Sequence, residues 1–364
     1  MLGAAAAGVF AVRGRIGSAP EAGPAAWVDP TGAPAQGDAS SAPAGPTVSL
    51  SAVGDTIIAA APLLPPDGGA DLFAGLRPAL ASDLQMANLE EPVTDDTGVS
   101  KCGAGSANCH AFRAPPSYAK VLKDAGFGLV NLANNHAYDF GRAGHLQTRA
   151  ALDAAGVKYT GPPGMITMVT VKGIRVAVLG FAPYPWANSL TDVAAAADLV
   201  RQAKAQADIV VVQAHVGAEG AGATHVKPGT EYYLGENRGD SIKFGHAVVD
   251  AGADLVVMHG PHVMRAMEFY KGRLIAYSMG NFVGYHALKT GGVLSISGIL
   301  HVTLARNGRY VSGHLVATLM VAPGVPQLDP ANKAWSQVRS LSTADFPRTG
   351  AGIGPDGAIV PPSG

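Results

Sequence analysis

The sequence predicts an α/β fold with two β-sheets, and two patterns in the chain point to it. Three segments end a helical pattern with a glycine and continue as an apolar strand, at residues 123–133, 152–161 and 249–260. Helix–glycine–strand units in series build a sheet that helices cover. Hairpin patterns follow later in the chain, around Lys271-Gly272 and Asn307-Gly308. We therefore expect one domain that contains two sheets.

The first predicted strand is TVSLSAVGD, which begins at Thr47 and ends in a polar loop at Asp55. Further apolar strands are predicted at residues 176–182 (VAVLGFA) and 209–215 (IVVVQAH). These strands are short and stand between helical patterns. They are therefore expected at the centre of a sheet whose face is covered by helices.

Composition excludes two classes of protein. The 364 residues carry 26 Lys and Arg against 27 Asp and Glu, a net charge of -1. This balance excludes a strongly basic nucleic-acid binder. Hydrophobic residues make up 48% and charged residues 15% of the chain, which supplies a sizeable core and excludes disorder of the whole chain. No apolar run reaches the roughly 18 residues of a membrane span.

The residues before Thr47 are expected to precede the folded domain. Residues 2–12 (LGAAAAGVFAV) form an apolar run as long as the core of a signal peptide, but the basic residues Arg13 and Arg15 follow it. A start upstream of Met1 would explain this order, and a plain alanine-rich tail is the alternative. Residues 17–46 are almost all Ala, Pro, Gly and Ser, which is typical of a linker.

The chain is therefore expected to have three parts. Residues 1–46 hold a truncated signal or anchor and the linker, and residues 47–342 form the folded domain. A short helix is predicted at residues 331–341 (ANKAWSQVRSL), near the end of that domain. Residues 343–364 are expected to form a disordered C-terminal tail.

The two cysteines, Cys102 and Cys109, lie in the segment SKCGAGSANCHAF. The residues between them are rich in Gly, Ser and Ala, and such a loop can bring the two Cα atoms within disulfide range. The spacing is no common zinc motif, and a pair of free thiols is the alternative. We predict a disulfide, which implies an oxidising compartment. The protein is then secreted, or anchored to the membrane, outside the cytoplasm.

Polar side chains stand at the ends of successive predicted strands. They are Asp55, Asn88, Glu90, Asn134, Asn135, His136, Asp139, His215, Glu219, His259, His262 and Asn281. The carboxyl ends of strands in an open α/β sheet converge on one edge, where ligands bind. Imidazole nitrogens with carboxylate and amide oxygens, and no thiolate, suit Zn, Mn or Fe. Any one of these residues could instead be a helix cap or a turn former, so the prediction of a shared divalent metal site depends on the whole set.

Short motifs make the chain resemble the bacterial capsule synthesis protein CapA family, which includes the poly-γ-glutamate biosynthesis proteins. They are, in order, NLEEP, NLANNHAYDFG, AHVGAE, HGPHV and YSMGNF, within residues 47–321. The family in turn resembles calcineurin-like metallophosphoesterases. The resemblance therefore implies a two-sheet αββα sandwich with the helices outside.

The resemblance also implies roles for individual residues. The implied metal ligands are Asp55, Glu90, Asn135, His215, His259 and His262. His136 would contact phosphate, and Asp139 would orient its ring. The chain departs from the metallophosphoesterase pattern at Ile57, where that pattern has His, and at Glu90, where it has the bridging Asp. It also spaces its last two histidines as H-x-x-H instead of H-x-H.

Three functions are compatible with these residues. The resemblance favours a role in making or exporting an anionic surface polymer such as poly-γ-glutamate, with a membrane polymer-synthase complex as partner. The second is a stand-alone metal-dependent hydrolase of phosphoesters, with His136 as general acid. The third is a scaffold subunit without turnover, which Ile57 favours over the second. The expected ligand is an anionic polymer or a phosphoester, and no nucleic acid is expected.

Overall fold

The computed structural model describes residues 45–103 and 109–362. The predicted leader and linker lie outside these residues, apart from positions 45 and 46. The strands are β1 (Thr47–Ile57), β2 (Leu84–Leu89), β3 (Phe127–Asn131), β4 (Lys158–Thr160), β5 (Thr167–Val171), β6 (Ile174–Ala182), β7 (Asn188–Ser189), β8 (Ile209–His215), β9 (Tyr232–Tyr233), β10 (Glu236–Asn237), β11 (Leu255–His259), β12 (Met267–Tyr270), β13 (Arg273–Ala276), β14 (Asn281–Gly284), β15 (Ile296–Ala305), β16 (Tyr310–Val321), β17 (Val325–Leu328), β18 (Gly352–Ile353) and β19 (Ile359–Val360). The α-helices are α1 (Arg77–Leu80), α2 (Ala119–Ala125), α3 (Gly141–Ala155), α4 (Val193–Gln206), α5 (Ser241–Asp250) and α6 (Lys333–Asp345). Short 3₁₀ turns cover Pro66–Gly69, Ala74–Leu76, Pro116–Tyr118 and Gly292–Ser295.

Two large sheets carry the fold. The first has the strand order β17-β16-β15-β1-β2-β3-β4, with β14 beside β1. The second has the order β12-β13-β11-β8-β6-β5, with β7 beside β6. Strands β1, β2 and β3 run parallel in the first sheet, as β6, β8 and β11 do in the second. The predicted hairpins are β12–β13 and β15–β16.

The sheets and helices form four layers. Apolar side chains of β1, such as Leu50, meet those of β8, such as Val211, in a core between the two sheets. Helices α1, α2 and α3 cover the outer face of the first sheet, and α4 and α5 cover that of the second. Each fully buried Val or Leu in these layers contributes about 1.5–3 kcal/mol. The predicted αββα sandwich is confirmed.

Glycines end two of the helices as the sequence predicts. Gly126 follows α2 with φ of 100°, and Gly156 follows α3 with φ of 70°. Both angles lie in the left-handed region, where a glycine has no Cβ to clash with the backbone. The chain can therefore reverse at once into β3 and β4.

Two expectations need correction. Asp55 does not stand in a loop after the first strand, because β1 continues through it to Ile57. The tail expected to be disordered from residue 343 is ordered through residue 362. It completes α6 and forms the β18–β19 hairpin, and Ile353 and Ile359 lie buried in the core between the sheets. The apolar residues of the tail are few, but Ile353 and Ile359 are buried by neighbours that lie far away in the sequence.

We expect Ile359→Ala to destabilise the protein by roughly 2–5 kcal/mol, the usual range for truncating a buried isoleucine. Ile359 is 3% exposed, whereas Val360, the next residue of the same strand, is 49% exposed. Val360→Ala is therefore the matched control and should change the free energy of unfolding by less than about 0.5 kcal/mol. Denaturant unfolding measures both. Equal, small effects would contradict the packing of the tail.

Candidate metal centre

The pairing of the strands brings polar side chains into one row that runs across neighbouring strands of the first sheet. Asp55 is paired with Asn281 on one side and with Asn88 on the other, and Asn88 is paired with Asn131. The Asn88 Nδ2 donates to Asp55 Oδ1 over 2.8 Å, and the Asn131 Nδ2 donates to Asn88 Oδ1 over 2.9 Å. The row is a chain of hydrogen bonds that holds the carboxylate of Asp55 in one orientation.

A second row lies at the edge of the facing sheet. His215 and His259 are register partners at the ends of β8 and β11. The loop after β11 closes on the first row, because the Gly260 N–H donates to Asp55 Oδ2 over 3.3 Å. A Cβ on Gly260 would lie 3.0 Å from the imidazole of His215, and the residue has a φ of 109°. This backbone conformation and the closeness of the His215 ring both favour glycine at the point where the loop reaches Asp55.

The centre of the site is a buried group of three side chains. One ligand atom from each of Asp55, Glu90 and His215 lies within 4.8 Å of the other two. Both carboxylate oxygens of Glu90 and the Nε2 of His215 have no hydrogen-bond partner among the residues that the structure describes. A buried polar group without a partner is costly. These atoms are hard oxygen and imidazole nitrogen, so the group has the donor chemistry for a divalent metal ion.

Two further orphaned atoms belong to predicted ligands. The Nδ1 of His259 and the Oδ1 of Asn135 are buried and find no hydrogen-bond partner in the described part of the chain. The other ring nitrogen of His259, Nε2, lies 3.2 Å from the Oε1 of Gln213. Donation to Gln213 would fix the tautomer that leaves the Nδ1 lone pair free, as the outer partners of metal-bound histidines do.

His262 lies between the acids. Its backbone has a φ of 60°, in the left-handed region, which costs about 1–3 kcal/mol for a non-glycine residue. Its Nδ1 lies 3.1 Å from Asp55 Oδ2 and 2.8 Å from Asn281 Oδ1, and its Nε2 lies 3.7 Å from Glu90 Oε1. Burial alone would lower the pKa of His262, but Glu90 and the hydrogen bond to Asp55 raise that pKa to about 10.

Burial and neighbouring charges shift the pKa values of the acids and histidines of the site. Burial raises the pKa of Glu90 well above its usual value, and the charge of Asp55 adds to this rise. Burial would also raise the pKa of Asp55, but the hydrogen bond and charge of His262 hold that pKa well below its usual range. Burial lowers the pKa of His215 well below its usual value and that of His259 to about 4. Both rings are therefore neutral at pH 7, the form that binds metal.

His136 and Asp139 form a pair beside this group, on the loop after β3. The Nδ1 of His136 lies 2.8 Å from Asp139 Oδ2, and its backbone N–H donates to Asn134 Oδ1 over 3.1 Å. Burial lowers the pKa of His136, and the charge of Asp139 opposes this effect. The pair has the geometry expected of a histidine whose ring is oriented by an acid.

The structure brings the remaining predicted residues to the same place. Asn134 donates from Nδ2 to the Leu89 carbonyl over 2.8 Å. The Nδ2 of Asn135 lies 3.5 Å from Glu219 Oε1, and Glu219 Oε2 lies 3.6 Å from the Nε2 of His262. Every side chain predicted for the site is thus linked to this edge of the two sheets, while the roles assigned to them stay predictions.

Several residues at the site were missed. They are Arg238, Lys101, Phe112, Asn131 and Gln213. Arg238 is 4% exposed and pairs with Glu219 over 2.7 Å. Asn131 and Gln213 carry a signal in the sequence, since Asn131 is the polar last residue of the strand β3 and Gln213 is a polar residue inside the apolar strand β8. Arg238 and Lys101 stand in irregular segments that carry no such signal.

The predicted disulfide is present. Cys102 and Cys109 are bonded, with their Cα atoms 5.5 Å apart. Within residues 45–103 and 109–362, no helix is both long enough and apolar enough to span a membrane.

Fold and site together define a two-sheet α/β protein with a candidate metal centre at the carboxyl ends of its strands. The model of one family, described as bacterial capsule synthesis protein PGA_cap, matches residues 49–286. That match covers more than half of the chain, and the chain belongs to this family. The resemblance seen in the motifs is thereby confirmed.

Two relatives carry names that match the family. The chain and the PGA biosynthesis protein CapA of Bacillus subtilis (strain 168) are 34% identical over 234 residues. This alignment covers 59% of the chain and 57% of the relative. The chain and the capsule biosynthesis protein CapA of Bacillus anthracis are 32% identical over 235 residues. This alignment covers 58% of the chain and 53% of the relative. The chain thus spans a little over half the length of each.

Solved structures overlap with the chain at low sequence identity. The superposition with a 5'-nucleotidase precursor from Thermus thermophilus covers 83% of this chain and 59% of the nucleotidase chain. The sequence identity is 14% and the TM-score is 0.44. The superposition with the NAD nucleotidase of Haemophilus influenzae covers 83% of this chain and 56% of the nucleotidase chain. The sequence identity is 12% and the TM-score is 0.41.

Proposed function

We propose that this protein serves the making or export of an anionic polymer at the cell surface, with poly-γ-glutamate as the polymer. The role includes hydrolysis of a phosphoester at a divalent metal centre. Membership of the capsule synthesis family supports the polymer role, as do the names of the two Bacillus relatives. The metal centre and the hydrolysis are supported by the chemistry of the site.

The observation that carries the chemical part is the set of buried atoms that lack partners among the described residues. Both oxygens of Glu90, the Nε2 of His215 and the Nδ1 of His259 are buried lone-pair donors. A divalent cation held by Asp55, Glu90 and His215, whose ligand atoms lie within 4.8 Å of one another, would satisfy the Glu90 and His215 atoms. It would also offset the repulsion between the carboxylates of Asp55 and Glu90. Because the donors are imidazole and carboxylate without thiolate, we propose Mn, Zn or Fe as the ion. Asn135, His259 and His262 complete the proposed ligand set, and His262, whose pKa is about 10 without the ion, would release its ring proton when the ion binds.

When bound, such an ion polarises a phosphoryl oxygen and lowers the pKa of a water molecule. The rest of the chemistry belongs to the chain. A proton on the Nδ1 of His136 would form a hydrogen bond to Asp139 Oδ2, 2.8 Å away, and this bond would fix the ring. Because Nδ1 keeps its proton in that bond, the ring must take a second proton at Nε2, and this imidazolium can deliver the Nε2 proton to the leaving oxygen as general acid. The ion pair of Arg238 with Glu219 fixes the carboxylate that lies beside His262.

We place the protein outside the cytoplasm, secreted or anchored at the cell surface. The Cys102–Cys109 bond supports this location, because disulfides persist in oxidising compartments. A membrane polymer-synthase complex is the proposed partner, and the anionic polymer or a phosphoester is the proposed ligand.

A scaffold without turnover is the second candidate, and one residue favours it. Ile57 is fully buried where the metallophosphoesterase pattern has a histidine ligand. An aliphatic side chain offers no donor there, so the proposed centre has one ligand fewer than that pattern. A scaffold would need the fold and its surface, but not the metal.

Metal analysis of untagged protein, beside a screen of phosphoesters, tests the proposal. We expect bound Mn, Zn or Fe, and hydrolysis that stops on chelation and returns when the metal is restored. We also expect the thermal midpoint to fall on chelation, since a ligand at 100 times its Kd stabilises the folded state by about 2.7 kcal/mol. Polymer production by a host whose protein binds no metal would favour the scaffold instead.

A further inference from the structure

Lys101 and Phe112, which stand on either side of the Cys102–Cys109 disulfide in the sequence, contact the His136–Asp139 pair from two sides. We propose that Lys101 and Phe112, joined through the Cys102–Cys109 disulfide, are positioning residues that hold the ring of His136 in its working orientation. The inference rests on the proposed function, in which His136 delivers a proton. In this proposal the disulfide helps to orient the ring of His136, in addition to stabilising the fold.

Lys101 contacts the pair from the first side. Its Nζ lies 2.6 Å from Asp139 Oδ1 and donates to the carbonyl of Asn135 over 3.3 Å. Its backbone N–H donates to the carbonyl of Asp139 over 2.8 Å. The side chain of Asp139 is fully buried, and that of Lys101 is 31% exposed. The lysine therefore supplies the cation that a buried carboxylate requires. It contacts the carboxylate of Asp139 through its side chain and the carbonyl of Asp139 through its backbone N–H.

Phe112 contacts the pair from the second side. Its backbone N–H donates to Asp139 Oδ2 over 2.7 Å, the same oxygen that lies 2.8 Å from the Nδ1 of His136. The ring of Phe112 lies against the ring of His136, with their centroids 4.8 Å apart. The imidazole is thus held at one edge by Asp139 and on one face by Phe112.

The disulfide joins these two sides. Lys101 directly precedes Cys102, and Phe112 follows Cys109 by three residues. The bond keeps the ends of this loop 5.5 Å apart at Cα, which removes freedom that an open chain would have. Lys101 Nζ also lies 3.2 Å from the Nδ1 of His136, but both atoms are donors when that nitrogen carries the proton, so the ammonium acts on the ring through Asp139. With the ammonium on Oδ1 and the Phe112 amide on Oδ2, the carboxylate has one orientation in which it can accept from the ring.

Lys101→Met and the double variant Cys102→Ser/Cys109→Ser test this proposal. The first removes the ammonium and keeps the aliphatic stem, and the second opens the loop. We expect both to lower kcat for the phosphoester by roughly 10- to 100-fold, part of the 10² to 10⁴ that a general acid contributes, while KM and metal content stay unchanged. Lys101→Arg, which can keep an ion pair with Asp139, should restore part of kcat. Lys172→Met is the control, since Lys172 pairs with Asp83 on the surface.

A second measurement keeps the test independent of turnover. In folded protein labelled at histidine, nitrogen NMR shifts report which ring nitrogen of His136 carries the proton. We expect the Nδ1–H form in the parent and in Lys172→Met, and a mixture of tautomers in Lys101→Met and the serine variant. An unchanged tautomer in both test variants would overturn the positioning role, whether or not the parent hydrolyses phosphoesters. Unchanged NMR shifts with a lower thermal midpoint would mean that the disulfide only stabilises the fold.

Discussion

His215→Ala is expected to remove most of the bound metal and leave the domain folded. His215 lies at the end of β8 in the buried group with Asp55 and Glu90, and its Nε2 has no other partner among the described residues. Loss of an outer partner of a metal ligand already lowers affinity by 10- to 100-fold. Loss of a ligand itself should cost at least roughly that much, and metal titration of the variant measures it.

The control for this variant is another histidine on a strand. His301 lies on β15 and bonds through Nε2 to the carbonyl of Ala79, away from the acids. His301→Ala should keep the metal content of the parent and lower only stability. Metal content that stays at the parent level in His215→Ala, His259→Ala and His262→Ala would show that the ligand assignment is wrong.

His136→Ala is expected to keep the metal and to slow phosphoester hydrolysis by about 10² to 10⁴, the usual cost of losing a general acid. His136 is paired with Asp139 and stands outside the buried group that Glu90 belongs to, so that group should stay intact. The exposed His225, whose Nδ1 lies 2.6 Å from Asp345 Oδ1 on α6, is the control. His225→Ala should retain the parent rate.

Three readouts on His136→Ala separate the candidate functions. They are bound metal, thermal midpoint and polymer yield in the host. Full metal, an unchanged midpoint and lost polymer would support chemistry at this residue. Unchanged polymer would count against a catalytic role and favour the scaffold. A lowered midpoint with unchanged polymer would mean that the residue only fills a polar turn.

The local structure was largely predictable, because its signals are local. Gly126 and Gly156 end helices since a left-handed residue is needed there. The Asn307-Gly308 turn is a property of two adjacent residues. The apolar runs of β6 and β8 identify central strands because strands buried on both faces carry few polar side chains. Polar residues at the ends of such runs identified the edge at which the candidate site lies.

The sequence by itself thus determined the central strands, the two sheets and most of the side chains of the candidate site, and the resemblance in its motifs implied the sandwich. Only the tertiary structure decided which of these atoms meet, because Asp55 contacts Gly260 and Lys101 contacts Asp139 through pairings between distant segments. The same reason explains the tail, whose Ile359 looks isolated in sequence and is buried by other strands. Burial and charge pairing depend on neighbours in space, and these neighbours are set by strand register and loop closure rather than by any short segment.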